Sequence, residues 1–395
     1  MPRTTHRAGF ALVALAYAAT TTGGSVPTPL YVLYQHRDHF GTTMISVVFA
    51  VYVVGVVAGL LVAGAHADRL RRRPVLGAAL ALQLLACAVF LAWPDLPGLL
   101  TARVFSGLSV GLLSGPATAY LIELRRRAAP DGDPRQAEVV ATAANLGGIA
   151  AGPLLSGVLA EWAPAPLHLP YIVIGIVLAA AAVLLAAVPE TATPSGGPAA
   201  RPLALVGERR FVASCLGGLV AFAMFGVFSA LSPTFLSGIL GYRSHALAGL
   251  VAFLGLGAGA AAQVGLRRLP PRPAVAASAA TMPVGLGLIL LGVWVGSLSA
   301  FVTGGAVTGA AAGLLLRACL TTVVQLSPLD RRAGTLATFF VTGYAGLALP
   351  VIGLGVLSEV AGTRAALTGF ALAGLLALVA VAAVRLRPDS LLEIP

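Results

Sequence analysis

The sequence predicts an all-α polytopic membrane protein with 12 transmembrane helices in two six-helix pseudo-symmetric bundles. Three observations carry this prediction. The 395 residues are 58% hydrophobic and only 10% charged, with a mean hydropathy of +0.93, far from the composition of a soluble domain. The apolar residues come in blocks of about 20, the length a helix needs to cross about 30 Å of hydrocarbon. The second half of the chain repeats landmarks of the first about 200 residues later.

Apolar runs bounded by charge place the spans in order. The first, 9–29, follows "MPRTTHR" and runs towards Pro29 without a convincing cleavage site, so it reads as an uncleaved span. Spans 44–64 and 75–93 flank "HADRLRRRP", where five of the six residues 68–73 are ionic. Span 97–121 contains Arg103, span 137–160 a Gly-Pro pair, and span 169–188 ends the first half. The hydrophilic stretch "PETATPSGGPAARPLALVGERR" (189–210), rich in Pro, Gly, Ser and Thr, reads as a cytoplasmic linker. The second half follows with spans 211–235, 245–266, 273–294, 298–322, 333–358 and 363–384. The domains are therefore 1–188, the linker 189–210, and 211–395.

All 25 basic residues are Arg, which reads as a GC-rich coding bias and favours a bacterial source. With the N-terminus inside, 20 of the 25 fall in cytoplasmic segments. Arg37, Arg243 and Arg364 lie opposite, and Arg103 and Arg317 fall within spans. This bias predicts a multi-pass protein of the cell membrane with both termini cytoplasmic. The net charge of +11 is spread between membrane-length segments, so the partner it implies is the lipid bilayer and not nucleic acid. Cys87, Cys215 and Cys319 all sit inside spans and read as small buried hydrophobes. No metal-ligand spacing, His-x-x-x-His pair or Lys-bearing phosphate loop is present, so neither metal, cofactor nor enzymatic chemistry is expected.

The repeat is most legible in spans four and ten. Gly107 and Gly111 in "SGLSVGLLSG" align with Gly309 and Gly313 in "TGAAAGLLLR". "SGVLAE", ending at Glu161, likewise matches "LGVLSE", ending at Glu359. Weakly similar halves are how secondary transporters build a site between two bundles.

Three local motifs resemble the major facilitator superfamily, and within it the twelve-span drug:proton antiporters. Gly64, Asp68, Arg69, Arg72 and Arg73 match the family's loop 2–3 pattern, with Arg71 where a second Gly is usual. Physically, Gly64 would allow close helix approach, and Asp68 could pair with Arg or sit at a helix N-terminus. The resemblance implies a conformational latch that responds to protonation; otherwise the stretch is a topogenic Arg cluster. Arg103 and Gly107 match the fourth-span motif, which implies a part in proton transfer. As a charge within a span, Arg103 should face a wet cavity or a partner, or else snorkel to the interface. Gly148, Gly152, Pro153 and Gly157 match the antiporter motif of span five, with Ser156 in place of one Gly. This motif favours export.

The resemblance further implies that spans 1, 4, 7 and 10 line a central cavity. Their polar and aromatic residues are the candidate substrate contacts: Thr21, Thr22, Ser25 and Tyr31; Phe222, Phe225 and Ser229, with Phe228 and Phe235 in the same aromatic stripe; and Arg317, Thr321 and Gln325. The stripe is either packing or a substrate surface, and a pairing of Arg317 with Glu123 is an expectation to test. No carboxylate lies mid-span, so the proton-coupling candidates are Asp68, Glu123 and Glu161, with Arg103. The expected function is proton-coupled export of amphipathic or lipophilic small molecules by alternating access, from a protein active as a monomer. The alternatives are a permease for sugars, amino acids or organic anions, and a non-transporting receptor.

Overall fold

In a computed structural model of the chain, residues 4–66, 71–130, 132–133, 135–192, 203–230, 232–328 and 331–387 are described. They form α1 (His6–Ser25), α2 (Tyr31–Asp38), α3 (Thr42–Ala65), α4 (Arg72–Ala92), α5 (Leu96–Ala128), α6 (Arg135–Trp162) and α7 (Leu169–Leu185). The chain continues with α8 (Arg209–Ala230), α9 (Ser232–Gly238), α10 (His245–Gly265), α11 (Pro271–Val295), α12 (Leu298–Leu326), α13 (Arg332–Ala361) and α14 (Thr363–Arg385). Among the described residues, 11 segments are long and apolar enough to cross a membrane, and α7, at 17 residues, is a shorter apolar helix in the place of the sixth span. The protein is thus all-α and polytopic.

The first span is longer than the expected 9–29. Pro27 and Pro29 remove two backbone donors, which normally ends a helix. Here Pro27 keeps helical angles (φ −66°, ψ −16°), and the chain tightens into a 3-10 turn, Thr28–Leu30, before resuming as α2. His6–Asp38 is therefore one run of 33 residues. The seventh span also comes in two pieces, α8 and α9.

Contacts divide the chain into two units: the described residues of Met1–Pro202 with Arg243–Phe253, and those of Leu203–Tyr242 with Leu254–Pro395. In the first unit α1 packs on α5, α6 and α7, and α5 on α3 and α4. In the second, α8 packs on α12, α13 and α14, and α12 on α11. Each set of neighbours repeats the other. Helices α1 and α5 belong to the most buried spans of the first unit, and α8 and α12 are the most buried of the second. Cys87, Cys215 and Cys319 are all buried and free.

The repeated glycines explain the repeated packing. Lipid is as apolar as Leu, so membrane helices associate through close contact and small residues at the interface. A Cβ at Gly107 or Gly111 would overlap the carbonyl oxygens of Tyr52 and Val56 on α3. At Gly309 and Gly313 it would overlap those of Gly255 and Gly259 on α10. The obstacle is backbone in all four cases, so no rotamer change relieves it.

Gly309→Val should therefore force α10 and α12 apart at a cost of at least about 1–3 kcal/mol, the usual range for overpacking. Gly115→Ala, where an added Cβ meets nothing within 4 Å, should be neutral. Thermal denaturation of the purified proteins checks this. Equal midpoints for the two variants would contradict the packing assignment.

Candidate functional site

A buried polar cluster inside the first unit surrounds Arg103. It is the eighth residue of α5, roughly 10 Å from the helix start at 1.5 Å per residue. It is only 1% exposed, so it does not snorkel. Its Nη1 donates to the Gly24 carbonyl on α1 at 2.7 Å. Its guanidinium carbon lies 4.1 Å from the centre of the Tyr52 ring on α3 and 5.8 Å from that of Tyr31 on α2. The sequence "TTTGGS" makes room for this: a Cβ at Gly23 would crowd Gln83 Nε2 (2.9 Å), and one at Gly24 would crowd Val110. Gln83, on α4 and fully buried, accepts from Ser106 Oγ at 3.2 Å. Behind Tyr31, Tyr34 bonds Tyr171 at 3.2 Å, and Tyr171 stacks on Phe90.

This cluster is rich in donors and poor in acceptors. Arg103 forms no ion pair with a described carboxylate. Its Nε, the Tyr31 hydroxyl and Gln83 Nε2 are buried without a hydrogen-bond partner among the described residues. An Arg within a span costs about 2.5–3.5 kcal/mol on insertion scales. A cation–π contact returns about 0.5–2 kcal/mol, and one carbonyl does not satisfy five N–H donors. Arg103 is thus incompletely compensated where it sits.

The antiporter-type motif lies on α6 and packs against α1. Cβ atoms at Gly148 and Gly152 would collide with the Thr21 and Ser25 hydroxyls and with the carbonyls of Ala18 and Thr22. Thr21 is fully buried and donates to Tyr17 O and Ala144 O, both at 3.1 Å. Ser25 donates to Thr22 O at 3.1 Å. Of these expected substrate contacts, Thr21 bonds across to α6, Ser25 bonds within its own helix, and Thr22 and Ser25 are half-buried. Gly157 and the Pro153 carbonyl meet Gly249 on α10. Glu161 then caps α10, accepting from His245 N at 2.7 Å and Ala246 N at 3.4 Å. A carboxylate is favoured there by the amides exposed at a helix N-terminus.

At the Arg-rich end, Asp68 and Arg69 lie outside the described residues. Among the described residues, no atom lies within 4 Å of an added Cβ at Gly64. Arg72 pairs with Glu123 on α5 at 3.1 Å. Glu190, from the segment read as linker, holds the first turn of α4: Oε1 accepts from Arg72 N at 3.1 Å and Oε2 from Arg73 N at 3.0 Å. Thr191 Oγ1 donates to Glu123 Oε2 at 2.5 Å, and the Arg127 guanidinium to Thr191 O at 2.7 Å. Arg73 adds a bond to Ala186 O at 3.2 Å. Residues 189–192 therefore belong to this site, which the Pro and Thr composition concealed.

In the second unit, the span-seven stripe makes packing contacts, and Phe228 and Phe235 also line an apolar pocket with Met224 and Phe301. Phe225 lies over Gly259, Phe228 is packed over Gly255 and Gly305, and Phe235 and Ser229 are buried. Phe222 is the most open of them and meets Tyr344 with ring centres 5.0 Å apart. Arg317 donates to the carbonyls of Leu266 (2.7 Å), Arg267 and Leu269 (2.8 Å) in the turn after α10. A cation belongs there because helix C-terminal carbonyls lack intrahelical donors. Within its own unit, Glu123 is partnered by Arg72 and Thr191. Thr321 Oγ1 donates back to Arg317 O at 2.9 Å, and Gln325 is exposed. Residues 107–111 spell Gly-x-Ser-x-Gly, but mid-helix, where Ser109 Oγ is committed to Ala79 O at 2.6 Å. Among the described residues, no group of three or more His, Cys, Asp or Glu could hold a metal ion.

Glu190→Gln should remove the charged acceptor from the first turn of α4 and lower stability by about 1 kcal/mol, as lost caps do. A thermal midpoint equal to that of the parent would show that other contacts hold this turn.

The Major Facilitator Superfamily description matches residues 13–294. No curated protein matches the chain. Among solved structures, the human organic anion transporter MFSD10 (TETRAN) is similar with a TM-score of 0.68 and 18% identity, over 96% of this chain and 100% of that one. A bacterial homologue of the human lysosomal transporter Spinster, inward-facing and unoccupied, is similar with a TM-score of 0.72 and 14% identity over 96% of each chain. A mutant of the nucleoside transporter NupG is similar with a TM-score of 0.74 and 13% identity, over 94% of this chain and 98% of that one. At these identities the structures share the fold, and the family match spans most of the chain: this protein belongs to the major facilitator superfamily of membrane transporters.

Proposed function

We propose that this transporter exports amphipathic or lipophilic small molecules by alternating access, in exchange for protons, as a monomer in the cell membrane with both termini cytoplasmic. The observation that carries the export reading is the antiporter-type motif: Gly148 and Gly152 lie in backbone contact with α1, the helix that also supplies the Gly24 carbonyl to Arg103. Motion of α6 is thereby coupled to the Arg103 cluster.

Proton coupling is assigned to carboxylates whose protonation breaks a contact. Glu123 joins Arg72 to Thr191, so a proton on Glu123 discharges its pair and loosens the start of α4. A proton on Glu161 weakens its hold on the amides of α10. Asp68, which the family resemblance implies to be a latch, joins them as a proton-coupling carboxylate.

The test uses the purified chain in proteoliposomes with an imposed pH gradient. The probes are ethidium, 2-naphthoate, glucose, alanine and uridine. We expect gradient-driven flux of an amphipathic probe, abolished by a protonophore and reduced at least tenfold in Glu123→Gln. Movement of glucose, alanine or uridine alone would replace export with a metabolite permease. Amphipathic flux indifferent to the gradient would remove the proton coupling.

A further inference from the structure

We infer that the Arg103 cluster is a binding site for the carboxylate of an amphipathic organic anion. This deepens the export reading and rests on it, since it names the head group of the exported molecule.

The argument is chemical complementarity. Three buried polar groups of this cluster, Arg103 Nε, the Tyr31 hydroxyl and Gln83 Nε2, have no hydrogen-bond partner among the described residues. Each comes from a different helix, α5, α2 and α4, and α1 adds the Gly24 carbonyl that fixes the guanidinium. Ser106 occupies Gln83 Oε1, which leaves the amide nitrogen as the free end. A cation ringed by donors asks for an anion with several acceptor lone pairs. A planar carboxylate matches a guanidinium edge with paired N–H···O bonds. A cationic ligand would meet Arg103 with no intervening acid.

The surroundings of the guanidinium are aromatic. The rings of Tyr31 and Tyr52 flank the guanidinium, and the Phe90, Tyr171 and Tyr34 cluster lies behind Tyr31. An anion with an aromatic or alicyclic body is chemically matched to such surroundings. Arg317 offers no equivalent site, because its donors already serve three carbonyls.

The test is equilibrium binding to the purified full-length chain by titration calorimetry at low ionic strength, without a gradient. The probes are 2-naphthoate, 2-naphthamide and 2-naphthyltrimethylammonium, with cyclohexanecarboxylate and its amide as a second body. At least one carboxylate should bind tenfold or more tightly than its amide. Arg103→Gln should abolish that preference, and Tyr31→Phe, which removes a single hydroxyl, should reduce it about threefold with the amide unchanged. Tyr31→Phe decides the matter if Arg103→Gln does not fold. The inference is overturned if neither carboxylate is preferred, if the ammonium probe binds as well as the acid, or if the preference survives both substitutions. If carboxylate preference fails while gradient-driven ethidium flux persists, only the anion site falls. If the preference holds without flux of any amphipathic probe, only the export reading falls.

Discussion

Backbone-to-backbone contact between α3 and α5 is the constraint on which the site depends. Within a bilayer, helices gain no hydrophobic drive towards one another, and the distance of closest approach decides how much dispersion energy they recover. Gly107 and Gly111 let α5 rest directly on the carbonyls of Tyr52 and Val56. Arg103 lies one turn before Gly107 on the same helix, so the contact that seats Gly107 on the Tyr52 backbone also brings the Tyr52 ring over the guanidinium. Packing and polar chemistry are therefore one feature at this point. The second unit repeats the packing through Gly309 and Gly313 but carries no charge at the position equivalent to Arg103.

The charges of Glu190, Glu161, Arg317 and the Glu123–Arg72 pair follow a simple electrostatic rule at the ends of helices. Carboxylates sit where helix amides are exposed, as Glu190 does at α4 and Glu161 at α10. Arg317 sits where carbonyls are exposed. Glu123 and Arg72 neutralise each other, part-buried at the Arg-rich end, where the remaining solvent access keeps a single pair modest in strength. Arg103 breaks the rule. It is charged, fully buried and short of acceptors, and local departures from satisfied polar packing concentrate at functional sites.

Much of this was legible in the sequence because membrane spans leave a long signal. Periodic blocks of apolar residues fix the helices, and Arg placement separates their two ends. Gly107, Gly111, Gly309 and Gly313 could be aligned by eye, and they prove to make the same contact in each half. Arg103 was visible as an ion in an apolar run. What could not be read were partners distant in sequence. Glu190 looked like part of a loop because its partners, the amides of Arg72 and Arg73, are over 100 residues away. Thr21 and Ser25 looked like cavity hydroxyls because nothing local shows that Gly148 and Gly152 fill the space beside them. Arg317 and Arg103 are alike in the sequence, and only the turn after α10 tells them apart. The first span was expected to end at Pro29, yet the fixed φ of Pro27 and Pro29 also suits the 3-10 turn that carries the chain onward.

The central claim is that Arg103 serves a ligand and is held at a cost to the fold. The most direct measurement is the thermal unfolding midpoint of Arg103→Met in the purified, ligand-free chain. Met keeps an unbranched side chain of similar reach while removing the uncompensated charge. The account predicts a midpoint raised by at least about 2 °C, because relieving an unpaired buried charge stabilises the free protein. A lowered midpoint would mean that the bonds of Arg103 to Gly24 and Tyr52 hold the bundle together, and would contradict the account.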